Sequence, residues 1–282
     1  MTKASTFRSL LNSNEMIVAP GAIDGITGRA IADAGFKVAY MTGAGTSMTH
    51  GYPDYGLITM TEMVANAGRI ANSIDIPLIS DADTGYGNEL NVYRTVQEFE
   101  RAGVAAIHIE DQVFPKKCGH LDNKEILSRE DYLAKIRAAV AARKSPDFCI
   151  IARTDSRAVA GFDEAVARGN DALKAGADVI FLEAPQTMEE ISKIPTLING
   201  PCLLNVVNGG KSPRMEIADA ERLGYAIAIV PGILLRGIIE SCDRLLADLK
   251  KGIQPATAGS PAATFNRFGA EEWDKRRTAY RD

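Results

Sequence analysis

The sequence predicts an α/β fold of the (β/α)8 barrel class, the TIM-type barrel, with an additional helical arm at its C-terminal end. Eight short apolar runs alternate with amphipathic stretches over roughly 250 residues, which favours a closed barrel over an open sheet. The runs are apolar almost throughout, as parallel strands covered on both faces should be. Three of the helical stretches end in Ala-Gly, and a glycine just past the last turn is a common helix cap.

The predicted elements follow from this alternation. Short runs rich in β-branched residues predict strands at 16–20, 37–42, 77–80, 105–110, 148–153, 178–183, 201–206 and 225–230. Apolar residues at helical spacing predict helices between them, at 25–34, 60–73, 92–102, 129–142, 162–175 and 189–194.

Two segments divide the chain by composition. No linker or composition shift interrupts residues 1–250, so we expect them to form one catalytic barrel domain. Residues 251–282 are a Pro/Gly/Ser connector followed by a helix predicted at 262–280, which belongs to the same domain. Phe265, Phe268 and Trp273 give this helix an apolar stripe that must be buried somewhere. We therefore expect the arm to pack on, or be swapped with, a neighbouring subunit of a homo-oligomer.

Composition excludes several classes of protein. The net charge of -4 leaves no basic footprint, so we expect no nucleic-acid partner. No apolar run approaches the ~18 to 20 residues that span a bilayer, and the N-terminus lacks a signal-peptide core. We expect no membrane association and a cytoplasmic location. The four cysteines are widely spaced and predict no disulfide framework, and Cys118 alone stands among charged residues.

The segment Glu110–His120, E-D-Q-V-F-P-K-K-C-G-H, carries an unusual density of titratable groups where a predicted strand ends. A loop with carboxylates for a metal, and a thiol or imidazole for proton transfer, can be a catalytic element. The same letters can also form a solvated basic turn closed by Pro115 and Gly119. The segment alone leaves these two interpretations evenly balanced.

The ends of the other strands favour the catalytic interpretation, because the active site of such a barrel lies at the carboxyl ends of its strands. Acidic residues close several strands, and like charges on one rim repel unless a cation neutralises them. All-oxygen ligands without a histidine cluster favour Mg2+, with Mn2+ as a substitute. Arg153 can clamp a substrate carboxylate or pair with Glu183 or Asp155. The residues at these ends are Thr42, Gly43, Ala44, Asp81, Asp83, Glu110, Arg153, Glu183 and Asn205.

Five motifs together resemble the isocitrate lyase and phosphoenolpyruvate mutase superfamily over nearly the whole chain. The segment K-K-C-G-H is a strong marker of its carbon–carbon lyase branch. The motifs are K-K-C-G-H at 116–120, D-A-D-T-G-Y-G at 81–87, I-E-D-Q at 109–112, A-R-T-D at 152–155 and G-Y-P-D-Y-G at 51–56.

This resemblance implies a role for each motif. Asp83 would bind Mg2+ directly, while Asp81 and Glu110 would hold its waters. Residues 116–120 would close over the substrate as a lid, with Cys118 as general acid. The lid residues Lys116, Gly119 and His120 would then also lie at the site. The other substrate contacts would come from Thr42, Gly43, Ala44, Asp54, Arg153, Glu183 and Asn205, and the resemblance further implies a tetramer.

Retro-aldol cleavage of a 2-hydroxy acid needs a base for the hydroxyl, a cation for the developing keto acid and an acid for the carbanion. Tyr40 is a candidate for handling the hydroxyl proton, although a tyrosine in a strand is more often part of the core. Lys116 and Lys117 are expected to lower the pKa of the Cys118 thiol.

The substrate is less sharply indicated. Residues 40–45 and Arg236 resemble 2-methylisocitrate lyases, in which an arginine at that place meets an extra carboxylate, whereas residues 205–213 are closer to 2,3-dimethylmalate lyase. Arg236 can equally be a solvated helix residue. We expect a lyase that releases pyruvate and a second acid. The alternatives are an oxaloacetate hydrolase or decarboxylase, a phosphoenolpyruvate mutase-type enzyme, and a non-catalytic binding barrel.

Overall fold

Eight parallel strands close into a barrel in the computed structural model, which describes residues 1–256 and 259–281. Each strand pairs with the next along the chain, and β8 pairs with β1, so the predicted (β/α)8 class is confirmed. The strands are β1 Ile17–Ala22, β2 Ala39–Met41, β3 Leu78–Asp81, β4 Ala106–Glu110, β5 Cys149–Thr154, β6 Val179–Leu182, β7 Cys202–Asn205 and β8 Ile227–Val230.

The helices begin where the sequence supplies caps. Asp24, Thr59 and Asn88 each accept a bond from the backbone of the first turn and complete a capping box. The helices are α1 Lys3–Leu11, α2 Gly25–Asp33, α3 Gly43–Thr49, α4 Met60–Ser73, α5 Glu89–Arg101, α6 Arg129–Ala142, α7 Arg157–Ala160, α8 Phe162–Lys174, α9 Met188–Leu197, α10 Ile217–Arg222, α11 Ile233–Lys250, α12 Pro261–Arg267 and α13 Ala270–Ala279.

Helix α3 differs from the small-residue turn expected after the second strand. The Thr42 side chain accepts a hydrogen bond from the Gly45 N–H and caps a helix that runs through the glycines. Strand β2 therefore stops at Met41, earlier than predicted. A methyl group at Gly45 would lie 2.5 Å from Ile23 Cγ2, so the small residue here allows close packing against Ile23, which directly follows β1.

The chain divides into two compact units, residues 1–237 and 238–282, and the barrel strands all belong to the first. In the second unit, the prediction of a single helix over 262–280 is wrong. The segment forms two helices, α12 and α13, because Gly269 adopts a left-handed conformation with φ of 84° and interrupts the helix. Phe265 and Trp273 on these helices are exposed by 65% and 66%.

The apolar core leaves only one end of the barrel for polar groups. Side chains from all eight strands fill the barrel interior, and Phe7 of α1 is buried among the residues that begin the strands. The barrel is thereby filled from its amino-terminal end, and the polar residues gather at the carboxyl ends. Within residues 1–256 and 259–281, no helix combines the length and apolar character needed to cross a membrane.

Candidate active site

The carboxyl ends of strands β3 to β7 bring the predicted polar residues onto one rim. Glu110 and Arg153 are partners in the pairing of β4 with β5, so their side chains point into the same space. Glu183 and Asn205 follow from β6 and β7, and the Asn205 side-chain amide lies 3.3 Å from both Glu183 oxygens. The charged members of this rim are buried, with Asp81 4%, Asp83 2%, Glu110 0%, Arg153 6% and Glu183 2% exposed.

Three carboxylates form the acidic part of the rim. Asp81 accepts hydrogen bonds from the Asp83 N–H at 2.9 Å and the Gly43 N–H at 3.2 Å, which fixes its orientation. Neither oxygen of Glu110 has a hydrogen-bond partner, although Arg153 Nη2 lies 3.2 Å from Oε2. Burial raises the pKa of Glu110 well above its ordinary value and raises that of Asp83 to about 6.

These oxygens fit a hard divalent cation. No group of three or more His, Cys, Asp or Glu side chains in the described part of the chain is arranged to hold a metal alone. Mg2+, however, takes one or two carboxylates directly and keeps several waters. The unpartnered oxygens of Glu110 and the raised pKa values of Glu110 and Asp83 indicate negative charge that the protein compensates incompletely. Asp81, Asp83 and Glu110 are therefore suitable as inner or water-mediated ligands.

Lys116 lies between two of the acidic residues. Its ammonium is 2.6 Å from Asp54 Oδ1 and 2.7 Å from Asp83 Oδ1, and the residue is 2% exposed. Burial opposes the charged form, but the carboxylates of Asp83 and Asp54 raise the pKa of Lys116 well above its ordinary value. Lys116 is thus a permanent cation that ties its loop to the acidic rim.

Residues 113–125, which we call the lid, form a loop closed at its base by an antiparallel bridge between Gln112 and Ile126. The Gln112 side chain exchanges two hydrogen bonds with the Lys117 backbone, at 2.8 and 3.0 Å. A methyl group on Gly119 would lie 2.5 Å from Glu183 Cγ and 2.7 Å from Arg153 Nη2. The lid is therefore closed, with its Gly119 backbone directly against the pocket residues.

Cys118 is a half-buried residue of the lid, and its N–H donates to the Asp54 carbonyl at 3.2 Å. Burial and the charge of Asp54 raise the pKa of its thiol. The expectation that Lys116 and Lys117 lower this pKa is wrong, because burial dominates and Lys116 is already paired with two carboxylates. A thiol with a raised pKa keeps its proton at neutral pH, the state in which it can act as an acid.

His120 joins the lid to two other elements. Its Nδ1 accepts from the Lys211 N–H at 3.1 Å, so in the neutral ring Nε2 carries the proton and faces Glu183 Oε1, also at 3.1 Å. Burial alone would raise the pKa of Glu183, but Arg153 and His120 bring it down to about 2. Glu183 is therefore ionised, and it contacts the lid through His120.

Arg153 is clamped by Asp155, which the sequence indicated as one of two candidate ion-pair partners but not as a residue of the site. Its Nε and Nη2 donate to the two oxygens of Asp155 at 2.9 and 3.2 Å, and its guanidinium lies 5.1 Å from the centre of the Phe181 ring. Arg153 Nη1 makes no hydrogen bond to any residue among 1–256 and 259–281. The ion pair considered from the sequence is thus formed with Asp155, and one edge of the guanidinium stays available for a carboxylate.

Tyr40 bonds to a second unpredicted residue, His108, whose Nε2 lies 2.9 Å from the tyrosine hydroxyl. Burial raises the pKa of Tyr40 well above its ordinary value and lowers that of His108 to about 4. The hydroxyl is therefore protonated and the imidazole neutral. The sequence did hold a signal for His108, because it precedes Glu110 by two positions and residues two apart in a strand share a face.

The remaining predicted substrate-binding residues are the first turn of α3, which adjoins the acidic rim, and Arg236, which does not bond to it. The first turn of α3, with Thr42, Gly43 and Ala44, adjoins Asp81, and a methyl group on Gly43 would lie 2.3 Å from Asp81 Oδ2. Arg236 instead lies exposed on α11 and donates from Nη1 to the Asn208 carbonyl at 2.6 Å. No hydrogen bond or ion pair among the described residues joins Arg236 to the rim.

Known proteins with similar sequences cover nearly the whole chain. The family described as phosphoenolpyruvate phosphomutase matches residues 7–250. The chain is 47% identical to the 2,3-dimethylmalate lyase of Eubacterium barkeri, covering 95% of this chain and 93% of the relative. It is 41% identical to the 2-methylisocitrate lyase of Aeropyrum pernix, covering 88% of this chain and 80% of the relative.

Solved structures of related proteins are also similar to nearly the whole chain. A 2,3-dimethylmalate lyase, described as a PEP mutase/isocitrate lyase superfamily member, has a TM-score of 0.95 with 41% identity and covers 99% of this chain and 96% of its own. An oxaloacetate acetylhydrolase in complex with 3,3-difluorooxalacetate also has a TM-score of 0.95, with 37% identity, over 99% of this chain and 97% of its own.

Proposed function

The chain belongs to the phosphoenolpyruvate mutase and isocitrate lyase superfamily and is a carbon–carbon lyase, and from this premise we propose that it cleaves a 2-alkylmalate such as 2,3-dimethylmalate. The products would be pyruvate and a second carboxylic acid. The observation that carries the proposal is the closed lid, which holds a protonated Cys118 thiol beside a rim of buried carboxylates and Arg153.

A dicarboxylic substrate is favoured by the balance of charges. The three cations buried at the rim and in the lid, Lys116, Lys124 and Arg153, are paired with protein carboxylates, and of these three groups one edge of Arg153 remains available. A third substrate carboxylate would need a further cation, and Arg236 is exposed and bonded elsewhere. Cleavage of the tricarboxylate 2-methylisocitrate is the second candidate, because a 2-methylisocitrate lyase is also a close relative.

We propose Mg2+ as the cofactor, with Mn2+ as a substitute, held by Asp83 together with Asp81 and Glu110. When bound, it would neutralise the charge that develops on the keto-acid oxygen. The unpartnered oxygens of Glu110 support this assignment. Arg153 would bind one substrate carboxylate through its available edge, and the first turn of α3 would approach the other. Asp54 would act through Lys116, to which it is paired.

The proton steps would be divided between two parts of the site. As the bond between C2 and C3 breaks, the C2 hydroxyl loses its proton and becomes the keto oxygen, while the electron pair moves to C3. Tyr40 would pass the hydroxyl proton towards His108, to which it is hydrogen-bonded. Cys118 would deliver a proton to C3 from the side of the substrate that the lid covers. Because Tyr40 itself is protonated at rest, it can act only as part of this pair.

The experiment is a substrate panel. Purified protein with Mg2+ would be incubated with 2,3-dimethylmalate, other malates that carry a methyl group at C2, 2-methylisocitrate and oxaloacetate, and pyruvate and oxalate would be measured. We expect pyruvate from an alkylmalate, loss of activity on chelation, and recovery with Mg2+ or Mn2+. Release of oxalate from oxaloacetate, without pyruvate from any other acid, would instead support the hydrolase activity named for the structural neighbour.

We also propose that the chain forms a homo-oligomer, a tetramer by its resemblance, in the cytoplasm. In this proposal residues 1–250 are the catalytic domain and residues 251–282 are the arm that packs on a neighbouring subunit. The exposed Phe265 and Trp273 support the proposal, since large apolar side chains in one segment are costly in water.

A further inference from the structure

We propose that Lys124, outside the K-K-C-G-H segment, is a positioning residue that holds the lid closed and supports the carboxylate that clamps Arg153. Its ammonium donates to the Gly119 carbonyl within the lid and lies 3.2 Å from Asp155 Oδ1 in the barrel. The side chain is 1% exposed and that of Asp155 is 0% exposed. The inference rests on the proposed function only in taking the closed lid as the reactive state.

The two ends of the lid are held by different lysines. Lys116 reaches Asp54 and Asp83 on one side, and Lys124 reaches Asp155 on the other. Cys118 and Gly119 lie between these anchors, so the position of the thiol depends on both. The bridge at the base of the lid joins Gln112 to Ile126, and the tip is held by these two lysines together with His120, which contacts Glu183.

The partner of Lys124 links the lid to substrate binding. Asp155 takes two hydrogen bonds from Arg153, and Arg153 also faces Glu110 and Glu183 at 3.2 and 4.0 Å. One guanidinium therefore faces three buried carboxylates. When the lid is closed, Lys124 is a second cation beside Asp155. Lys124 and Arg153 then neutralise the negative charge of this carboxylate together. Closure of the lid and the ion pairing of the Arg153 guanidinium are thereby connected through the Asp155 carboxylate.

The four cysteines of the chain allow a direct test that needs no substrate. Cys118 lies in the lid, Cys149 and Cys202 are buried in the barrel, and Cys242 is exposed on α11. Alkylation at each cysteine can be followed by peptide mass spectrometry. The rate at Cys118 reports opening of the lid, the rates at Cys149 and Cys202 report unfolding of the barrel, and the rate at Cys242 reports the reactivity of the reagent. The test can therefore fail independently of the proposed reaction.

We expect Lys124→Met to increase the alkylation rate of Cys118, relative to Cys242, by about tenfold or more, because a charge-assisted hydrogen bond is lost. Cys149 and Cys202 should remain protected. Removing a cation disfavours the thiolate and by itself slows alkylation, so an increase reports opening. Lys124→Arg should restore most of the protection, since arginine keeps the positive charge and the N–H donors.

The matched control is Lys193→Met, which removes a lysine paired with Glu189 at 2.5 Å on the exposed face of α9. It should leave the Cys118 rate unchanged. An unchanged Cys118 rate in Lys124→Met would overturn the proposal, and so would an equal increase in the control. If Lys124→Met exposes Cys149 and Cys202 together with Cys118, the lysine stabilises the whole barrel and the proposal of a lid anchor is also overturned.

Discussion

At the scale of single residues, the protonation states divide the site into acids and charged anchors. The Cys118 thiol has a raised pKa and keeps its proton, whereas Glu183 has a lowered pKa and stays ionised. Lys116 and Arg153 are permanent cations because their pKa values lie well above the ordinary ones. The lid thus carries the Cys118 thiol in its protonated form, while Glu183, Lys116 and Arg153 are charged at neutral pH.

The role of Cys118 is tested by Cys118→Ser. A serine hydroxyl is a far weaker acid than a thiol, so we expect kcat to fall by about 100-fold or more, while binding of pyruvate is unchanged. Steady-state kinetics and calorimetric titration with pyruvate measure the two quantities. Cys242→Ser, on the exposed face of α11, serves as the control and should retain full activity. An unchanged kcat in Cys118→Ser would remove the thiol from the reaction.

The lowered pKa of Glu183 predicts how stability depends on pH. The folded protein holds this carboxyl ionised down to about 2, whereas the unfolded chain takes up the proton near its ordinary value of 4.5. The stabilisation is therefore complete above the ordinary value and is lost as the pH falls towards the lower one. Denaturant unfolding between about pH 6 and 3 should show a steeper loss of stability for the parent than for Glu183→Gln. Parallel curves would contradict the lowered pKa.

At the scale of elements, the lid depends on close backbone packing. Gly119→Ala would place a methyl group 2.5 Å from Glu183 Cγ, so the lid cannot seat in the same position. We expect kcat/KM to fall by about 100-fold, because displacement of the thiol by about 1 Å has effects of that size. The melting temperature should change little, since the barrel does not depend on the lid tip.

Gly68→Ala provides the comparison for this prediction. Gly68 lies within α4, and its added methyl group would meet Ala102 Cβ at 3.6 Å, an ordinary contact. This variant should keep full activity. Equal kcat/KM values for Gly119→Ala and the parent would show that the lid is not packed as described.

Some of the elements could be predicted from the sequence alone, and others could not. Apolar runs predicted all eight strands, and the rule for strand ends selected Asp81, Asp83 and Glu110, because these features are local. Helix α3 was missed because its glycines have low helix propensity, whereas the Thr42 cap and the tight packing of Gly45 against Ile23 that favour it are visible in the structure alone. The break at Gly269 depends on one backbone conformation that an amphipathic pattern does not reveal.

The contacts of the site were harder to predict than its members. Asp155 and Lys124 are 31 positions apart, and Tyr40 and His108 are 68 apart, so these pairs exist only once the barrel closes. The error about the Cys118 thiol has the same origin. Neighbouring lysines are visible in the sequence, whereas the burial and the carboxylates that cancel their effect are not.

At the scale of the whole molecule, the closed barrel gathers the buried acidic residues at one end. The proposed oligomer belongs to this scale. We expect light scattering after size-exclusion chromatography to give a mass several times the 30.3 kDa of one chain. Replacing Phe265 and Trp273 with Ser should lower that mass, because the arm would lose apolar contact area. A monomeric parent protein would contradict the proposal.

The central claim is that the enzyme breaks a carbon–carbon bond and protonates the released carbanion without adding water across the bond. Cleavage of 2,3-dimethylmalate in D2O, followed by NMR of the products, tests this claim most directly. We predict equal amounts of pyruvate and propionate, with one deuterium in the propionate methylene group. Absence of pyruvate from every 2-hydroxy acid tested, with oxalate and acetate formed from oxaloacetate, would contradict the account.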